Sequence, residues 1–357
     1  MNYVKPFYSN GAVDRAANEL LNSIRGSAEY AEHLKVINQW RSSHLWPLEK
    51  VRHTLKNRSY RVDQAAVVVQ RLKRLASIEN KLIRLEGTRI SGMQDIGGCR
   101  SIVKDIDCVN RIVGIYEEAK ERNPENRSVL ISTPRDYIAY PKETGYRGVH
   151  LIIKYQSDGT DTKTWNGRKI EIQLRTKLQH SWATTLESVS TVLGQQLKAN
   201  LGDPDWLRFF ALASGVFAVR EEAPPIPGLP TGMELYQETL QYWNKLNVRS
   251  VLFGCGIIGS QQETDFVGQS LFVLHMDATE RKIHIYSFEQ DELIKANEKY
   301  NDLEKRYSDR ADVDIVLVKA EDIRELRLGY PNYWADTGVF TQILQDELEK
   351  NLDLELE

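Results

Sequence analysis

An α+β fold is what this sequence predicts: a mixed β-sheet flanked by helices, followed by a smaller α/β unit. Three observations predict it. The stretch Lys169–Thr176 alternates at strand period, so Glu171, Gln173 and Arg175 share one face and Ile170, Ile172 and Leu174 the other. Helix-period stripes stand on either side of such strands, as in Leu75, Ile78, Leu82, Leu85 and in Leu178, Trp182, Leu186, Val189, Leu193. The run from Ala223 to Pro230 holds four prolines, which lack an N–H and fix φ, so neither a helix nor a central strand passes through it.

At 357 residues the chain exceeds the usual single-domain size. The expected division is an N-terminal helical segment (1–60), a central domain (61–222), a proline-rich linker (223–230) and an acidic C-terminal domain (231–357). Residues 61–200 carry 23 basic against 16 acidic side chains, or +7, whereas 231–357 carry 13 against 25, or −12. A basic middle attracts phosphate-bearing substrates, and an acidic partner segment competes for it. Three cysteines (Cys99, Cys108, Cys255) without CxxC spacing argue against a disulfide framework and a structural zinc site. No run of eighteen apolar residues occurs, and Met1 to Pro6 lacks the apolar core of a signal peptide, so a soluble, cytoplasmic protein without a membrane partner is expected.

In order along the chain, 12–85 reads as helical, with Arg71, Arg74 and Lys81 along one helix face. Strands follow at 96–103, 129–132, 147–155 and 168–174, with a helix at 109–122 and a hairpin connection at Ser157 to Asp161. A helix then carries His180 and Glu187 off its apolar stripe. Beyond the prolines come a helix near 233–246, strands near 270–276 and 282–288, a charged helix over 290–308, a strand at 313–318 and a helix from about 337 to 351. The acidic tail from Asp346 to Glu357 is expected to fray.

A carboxylate beside a guanidinium on the Glu171 strand suggests a phosphate and metal site. The turn-rich run Asp136 to His150 adds Lys142, Tyr146, Arg147 and His150 before another strand. Five blocks, in order, resemble the RelA/SpoT family of alarmone synthetases: Arg71-Leu72-Lys73 with Ser77-Ile78 and Lys81; Gln94 to Arg100; Asp136-Tyr137-Ile138 with Pro141-Lys142 and Gly145 to His150; Glu171 to Thr176; and Trp182-Ala183 with Glu187. The resemblance covers about residues 60–195. It implies a nucleotidyltransferase-like synthetase domain that moves a pyrophosphate from ATP to the 3′-hydroxyl of a guanine nucleotide.

From that resemblance, Asp95 and Glu171 are the expected catalytic pair and the ligands of magnesium (Mg2+), which takes one or two carboxylates and leaves other positions to water and phosphate. Arg71, Lys73, Lys81 and Arg100 are expected on ATP. Lys142, Tyr146, Arg147, His150, Gln173 and Arg175 are expected on the acceptor nucleotide, with the Tyr146 ring able to stack a purine. His150 could point to or from the site. The long relatives' adjacent His-Asp pair of a hydrolase domain is absent, so hydrolysis of the product is not expected. The loop reads Tyr146-Arg147-Gly148-Val149-His150 where many small synthetases have Arg-Ser-Leu-His, which leaves the acceptor open: GDP or GTP, an adenine nucleotide, or a tRNA 3′ end in toxic relatives. Residues 231–357 stand as a candidate restraint or as the receiver of a protein effector. A non-catalytic nucleotide-sensing module and a homo-oligomer are the remaining alternatives.

Overall fold

The computed structural model describes residues 3–354 apart from 86, 123–127, 196, 255–265, 267, 278, 281, 308–309, 311–312 and 335–336. Cys255 and the tail residues 355–357 lie outside the described residues. Three helices lead the chain: α1 (Asn10–Asn22), α2 (Ala28–Ser42) and α3 (Leu45–Val62). Then come β1 (Val67–Leu72), α4 (Leu75–Arg84), β2 (Gly97–Val103), α5 (Ile106–Arg122), the short β3 (Val129–Leu130) and β4 (Arg135–Asp136), β5 (Val149–Lys154), β6 (Lys169–Thr176) and α6 (Lys177–Val192). The chain continues with α7 (Pro204–Arg220), α8 (Met233–Lys245), α9 (Val248–Gly254), β7 (Leu271–Asp277), β8 (Lys282–Phe288), α10 (Leu293–Arg306), β9 (Val313–Lys319), α11 (Ile323–Gly329) and α12 (Gly338–Leu352).

The strands form one mixed sheet in the order β3-β5-β6-β2-β1-β9-β7-β8, with β4 beside β5. β2 and β6 are parallel and the other pairings are antiparallel. One face is covered by a core that runs from Leu45 and Leu55 of α3 through Cys99, Leu151 and Ile172 to Leu271 and Leu317. The alternation of β6 therefore does what its sequence implies: Ile170, Ile172 and Leu174 are fully buried in this core, and the polar set faces the other way.

Two expectations need correcting. Residues 67–72 form a strand, so Arg71 (in β1), Arg74 (capping α4) and Lys81 (inside α4) do not line one helix face. The β-branched run Val67-Val68-Val69 pairs with β2, and Gln70 and Arg71 after it pair with β9 on the other side; that tertiary pairing decides the conformation of the segment. The acidic tail is ordered as far as Leu352, because Phe340, Leu344 and Leu348 of α12 are fully buried against α6, α7 and α8.

The segment after the prolines is α/β, but its strands continue the central sheet edge to edge. Gln70 and Arg71 pair with Lys319 and Val318, and α12 returns to the helical core built on Trp182, Phe209 and Phe210. The proline run itself is a turn between α7 and α8, with Ile226 buried.

Candidate active site

The polar face of the sheet gathers residues that the sequence scatters over a hundred positions. Across the strands, Arg71, Gly98 and Glu171 occupy one row, and Arg100, Gln173 and His150 the next. Gly98 leaves the floor open between Arg71 and Glu171, since nothing lies within 4 Å of where its Cβ would stand.

Beside this row, Asp95 ends the loop before β2. Its Oδ2 accepts from Lys73 Nζ at 2.7 Å and its Oδ1 from Lys81 Nζ at 3.0 Å. Burial pushes the Asp95 carboxyl up, but the two ammonium groups outweigh it and hold the group below its ordinary range. Asp95, Lys81, Arg89, Arg135 and Glu171 line one cavity of about 340 Å³.

A hydrogen-bonded chain runs along the same face. Glu171 Oε1 lies 3.0 Å from His150 Nδ1, and His150 Nε2 lies 2.5 Å from the Tyr146 hydroxyl. Gln173 donates to Glu171 Oε2 at 2.8 Å, and Arg175 donates to Gln173 Oε1 at 3.1 Å and to the Tyr146 hydroxyl at 3.2 Å. Burial opposes ionisation of Glu171, yet the bond and charge of His150, with Gln173 and Lys73, bring it down to about 2. Burial likewise raises the Tyr146 phenol, while Arg175 and His150 bring it to about 7. His150, which the sequence left pointing either way, faces the site.

Such a face presents two ionised carboxylates within one cation-rich cavity. Magnesium requires hard oxygen donors, and Asp95 and Glu171 supply them; each Asp95 oxygen carries one lysine bond and, with two lone pairs, has acceptor capacity left. The residues present therefore fit that ion.

The loop that carries Lys142 and Tyr146 is held from behind. Gly145 has φ +88°, and a Cβ there would stand 2.9 Å from Ser214 Cβ and 3.0 Å from the Trp182 ring, so a side chain is excluded twice over. Ser214 donates to its carbonyl at 2.6 Å. Lys142 lies over the rings of Tyr137 and Tyr146, 4.5 and 5.3 Å from their centroids. Arg147 does not join this group: it is 3% exposed and donates to the carbonyls of Ile138 (3.1 Å) and Pro224 (2.6 Å), tying the loop to the proline turn. Its expected contact with the acceptor is thus replaced by a structural one.

On the other side, Arg71, Arg74 and Arg100 meet the C-terminal segment. Arg100 donates to Gly329 O at 3.1 Å and lies 5.8 Å from the Tyr330 ring centroid. Arg74 pairs with Asp314, which also accepts from the Tyr333 hydroxyl at 2.9 Å. The Arg71 cation, opposed by burial, is supported by the Glu187 carboxylate and lies within the field of Tyr330. His180, buried, meets Leu328 O at 3.0 Å. Tyr330 and Tyr333 are buried beside these arginines, while Ala335 and Asp336 lie outside the described residues. Asp314, Gly329 and Tyr137 were not anticipated, and only Tyr137 had a local signal, its place in the Asp-Tyr-Ile block.

The chain is thus an α+β protein whose mixed sheet has one apolar face and, across β1, β2, β6 and β5, an opposite face of paired carboxylates and cations. The family described as "Region found in RelA / SpoT proteins" matches residues 70–190, and the chain belongs to it. It is 31% identical over 166 residues to GTP pyrophosphokinase YjbM of Bacillus subtilis (strain 168), a match covering 45% of this chain and 71% of that protein. It is 30% identical over 139 residues to GTP pyrophosphokinase YwaC of the same organism, covering 37% and 61%. Among solved structures, the small alarmone synthetase 1 from Bacillus subtilis bound to its product pppGpp is similar at 26% identity and a TM-score of 0.41, over 52% of this chain and 93% of that one. No helix among the described residues is long and apolar enough to cross a membrane.

Proposed function

We propose that this protein is an ATP:nucleotide 3′-pyrophosphotransferase of the GTP diphosphokinase type, moving the β,γ-pyrophosphate of ATP to the 3′-hydroxyl of GDP or GTP. The observation that carries this reading is the pairing of Asp95 and Glu171 in one cavity, both held ionised, with Lys73 and Lys81 on the first and His150 on the second. The relatives' names as GTP pyrophosphokinases support it. Asp95 and Glu171 would hold magnesium, which when bound neutralises phosphate charge and orients the transferring group. Lys73, Lys81 and Arg71 supply cations for the donor phosphates and base. Tyr146, Lys142, Gln173 and Arg175 position the acceptor. The acceptor 3′-oxygen attacks the β-phosphorus, the bond from that phosphorus to the bridging α,β-oxygen breaks, AMP leaves, and the hydroxyl proton is released. A carboxylate held near 2 is a weak base, so the part of Glu171 is charge and metal positioning.

A second reading follows from one further observation. Gly329, Tyr330 and Tyr333 lie on Arg100, Arg74 and the Arg71 neighbourhood, where the donor is expected. In this reading the C-terminal segment restrains the resting enzyme by covering the donor side.

The test is transfer of label from γ-labelled ATP with magnesium to GDP, GTP, AMP, ATP or deacylated tRNA in parallel, with Glu171→Gln as control. Label on a guanine nucleotide, lost in the variant, supports the proposal. Label on tRNA or on an adenine nucleotide alone replaces the acceptor, and equal transfer by the variant overturns the assignment of the site.

A further inference from the structure

Lys73 and Lys81 reach Asp95 from the two ends of a short piece of chain, the β1–α4 turn and the second turn of α4. What fixes that piece comes from neither β1 nor α4. Helix α4 has Arg74 at its N-cap with no side-chain cap bond, and no acid in its first turn. Four N-terminal N–H groups of a helix need partners from outside it. The Leu75 N–H finds one 229 residues away, donating to Glu304 Oε1 of α10 at 3.1 Å.

The same carboxylate is clamped to Arg41 of α2. Arg41 Nη1 donates to Glu304 Oε2 at 2.6 Å, with the two side chains 1% and 9% exposed. Arg41 Nε and Nη2 also donate to the Lys73 carbonyl, at 3.0 and 2.9 Å. Tyr300 donates to Glu304 Oε1 at 2.8 Å and also meets Arg41. The Lys73 N–H in turn donates to Ile96 O, next to Asp95, at 2.8 Å. The backbone of residues 73–75 is therefore held at the Lys73 N–H, the Lys73 carbonyl and the Leu75 N–H. Two of those three groups are held by a buried ion pair whose members lie outside the region matched by the family, 70–190.

We propose that Glu304, acting through Arg41 and the α4 N-terminus, is a positioning residue that sets Lys73 and Lys81 for the donor phosphates. This rests on the functional reading above. It gives residues 231–357 a constructive part in the site as well as a covering one: α10 holds the turn whose Arg74 pairs with Asp314 beside Tyr333. A buried ion pair that only stabilised the fold would shift unfolding and leave nucleotide affinities in step with one another. A positioning pair separates them, because only the donor lysines depend on this turn.

The experiment measures ATP and guanine-nucleotide KM, ATP binding by calorimetry and thermal unfolding for the full-length wild type, Glu304→Ala and Glu304→Gln. Glu304→Gln is isosteric and keeps an acceptor oxygen for the Leu75 N–H while losing the charge opposite Arg41. The expected result is an ATP KM and Kd raised about tenfold in Glu304→Ala and by less in Glu304→Gln, with the guanine-nucleotide KM within about twofold of wild type. Unchanged ATP KM and Kd in folded Glu304→Gln and Glu304→Ala overturn the proposal, as does a parallel rise for both nucleotides. Should Glu304→Ala not fold, Glu304→Gln decides alone. If transfer proves independent of Glu171 the functional reading fails, and the ATP Kd still tests Glu304.

Discussion

Replacing Tyr330 by alanine tests the covering of the donor side most directly. The ring is 3% exposed and lies 5.8 Å from the Arg100 guanidinium, with the Tyr333 ring 6.3 Å away. Truncating a buried aromatic costs about 3–5 kcal/mol in total. The part that holds the segment down on Arg100 is the desolvated cation–π contact, about 2 kcal/mol. At 1.4 kcal/mol per factor of ten, that loss raises the uncovered population roughly thirtyfold. Initial rates of pyrophosphate transfer at low ATP read that population, so they rise by a comparable factor while the rate at saturating ATP rises less. Tyr330→Phe keeps the ring and stays near wild type. An unchanged or lower rate in Tyr330→Ala, with the protein still folded by its unfolding midpoint, would refute the restraint.

Three further outcomes are expected. Glu171→Gln lowers kcat by about 10²- to 10³-fold, the range for losing one charge-stabilising group, with the fold intact by circular dichroism; a decrease under tenfold would remove Glu171 from the chemistry. Acid titration gives a second check on the same residue: its folded pKa of about 2 lies below the unfolded value of ~4.3, so its stabilisation is fully present above pH ~4.3 and is lost as pH falls towards 2, on the order of 3 kcal/mol. Denaturant unfolding of Glu171→Gln is correspondingly flatter across that window, and an identical acid limb in both proteins would contradict the assignment. Arg147→Met costs about 2–3 kcal/mol of stability through the two orphaned carbonyls, with the KM of either nucleotide unchanged; a higher acceptor KM at full stability would return Arg147 to the acceptor site.

Local pattern made part of this legible and tertiary contact hid the rest. The alternation of Lys169–Thr176 needs only one strand to express itself, so the shared face of Glu171, Gln173 and Arg175 could be read directly. The stripe from Leu178 to Val189 placed α6 for the same reason. Val67–Leu72 stands between two helices and looked continuous with them; only pairing with β2 and β9 makes it a strand. Arg147 sits in a motif block, yet its direction is set by carbonyls of Ile138 and Pro224 that no spacing rule connects to it. The contacts of Glu304 and Asp314 with residues 41, 74 and 75 span more than two hundred positions, beyond the reach of any periodicity.

The pairing of β1 with β9 has a consequence for how the protein comes into being. Chains emerge from the ribosome N-terminus first, and upstream elements collapse as they appear. Here β1, which carries Arg71, stays an open edge along Gln70 and Arg71 until Val318 and Lys319 have been translated. An unpaired edge in the middle of a future sheet is a site for mispairing. Since Tyr330 and Tyr333 follow Lys319 by 11 and 14 positions, the last pairing of β1 and the contacts made on Arg100 and Asp314 are completed almost together, near the end of synthesis.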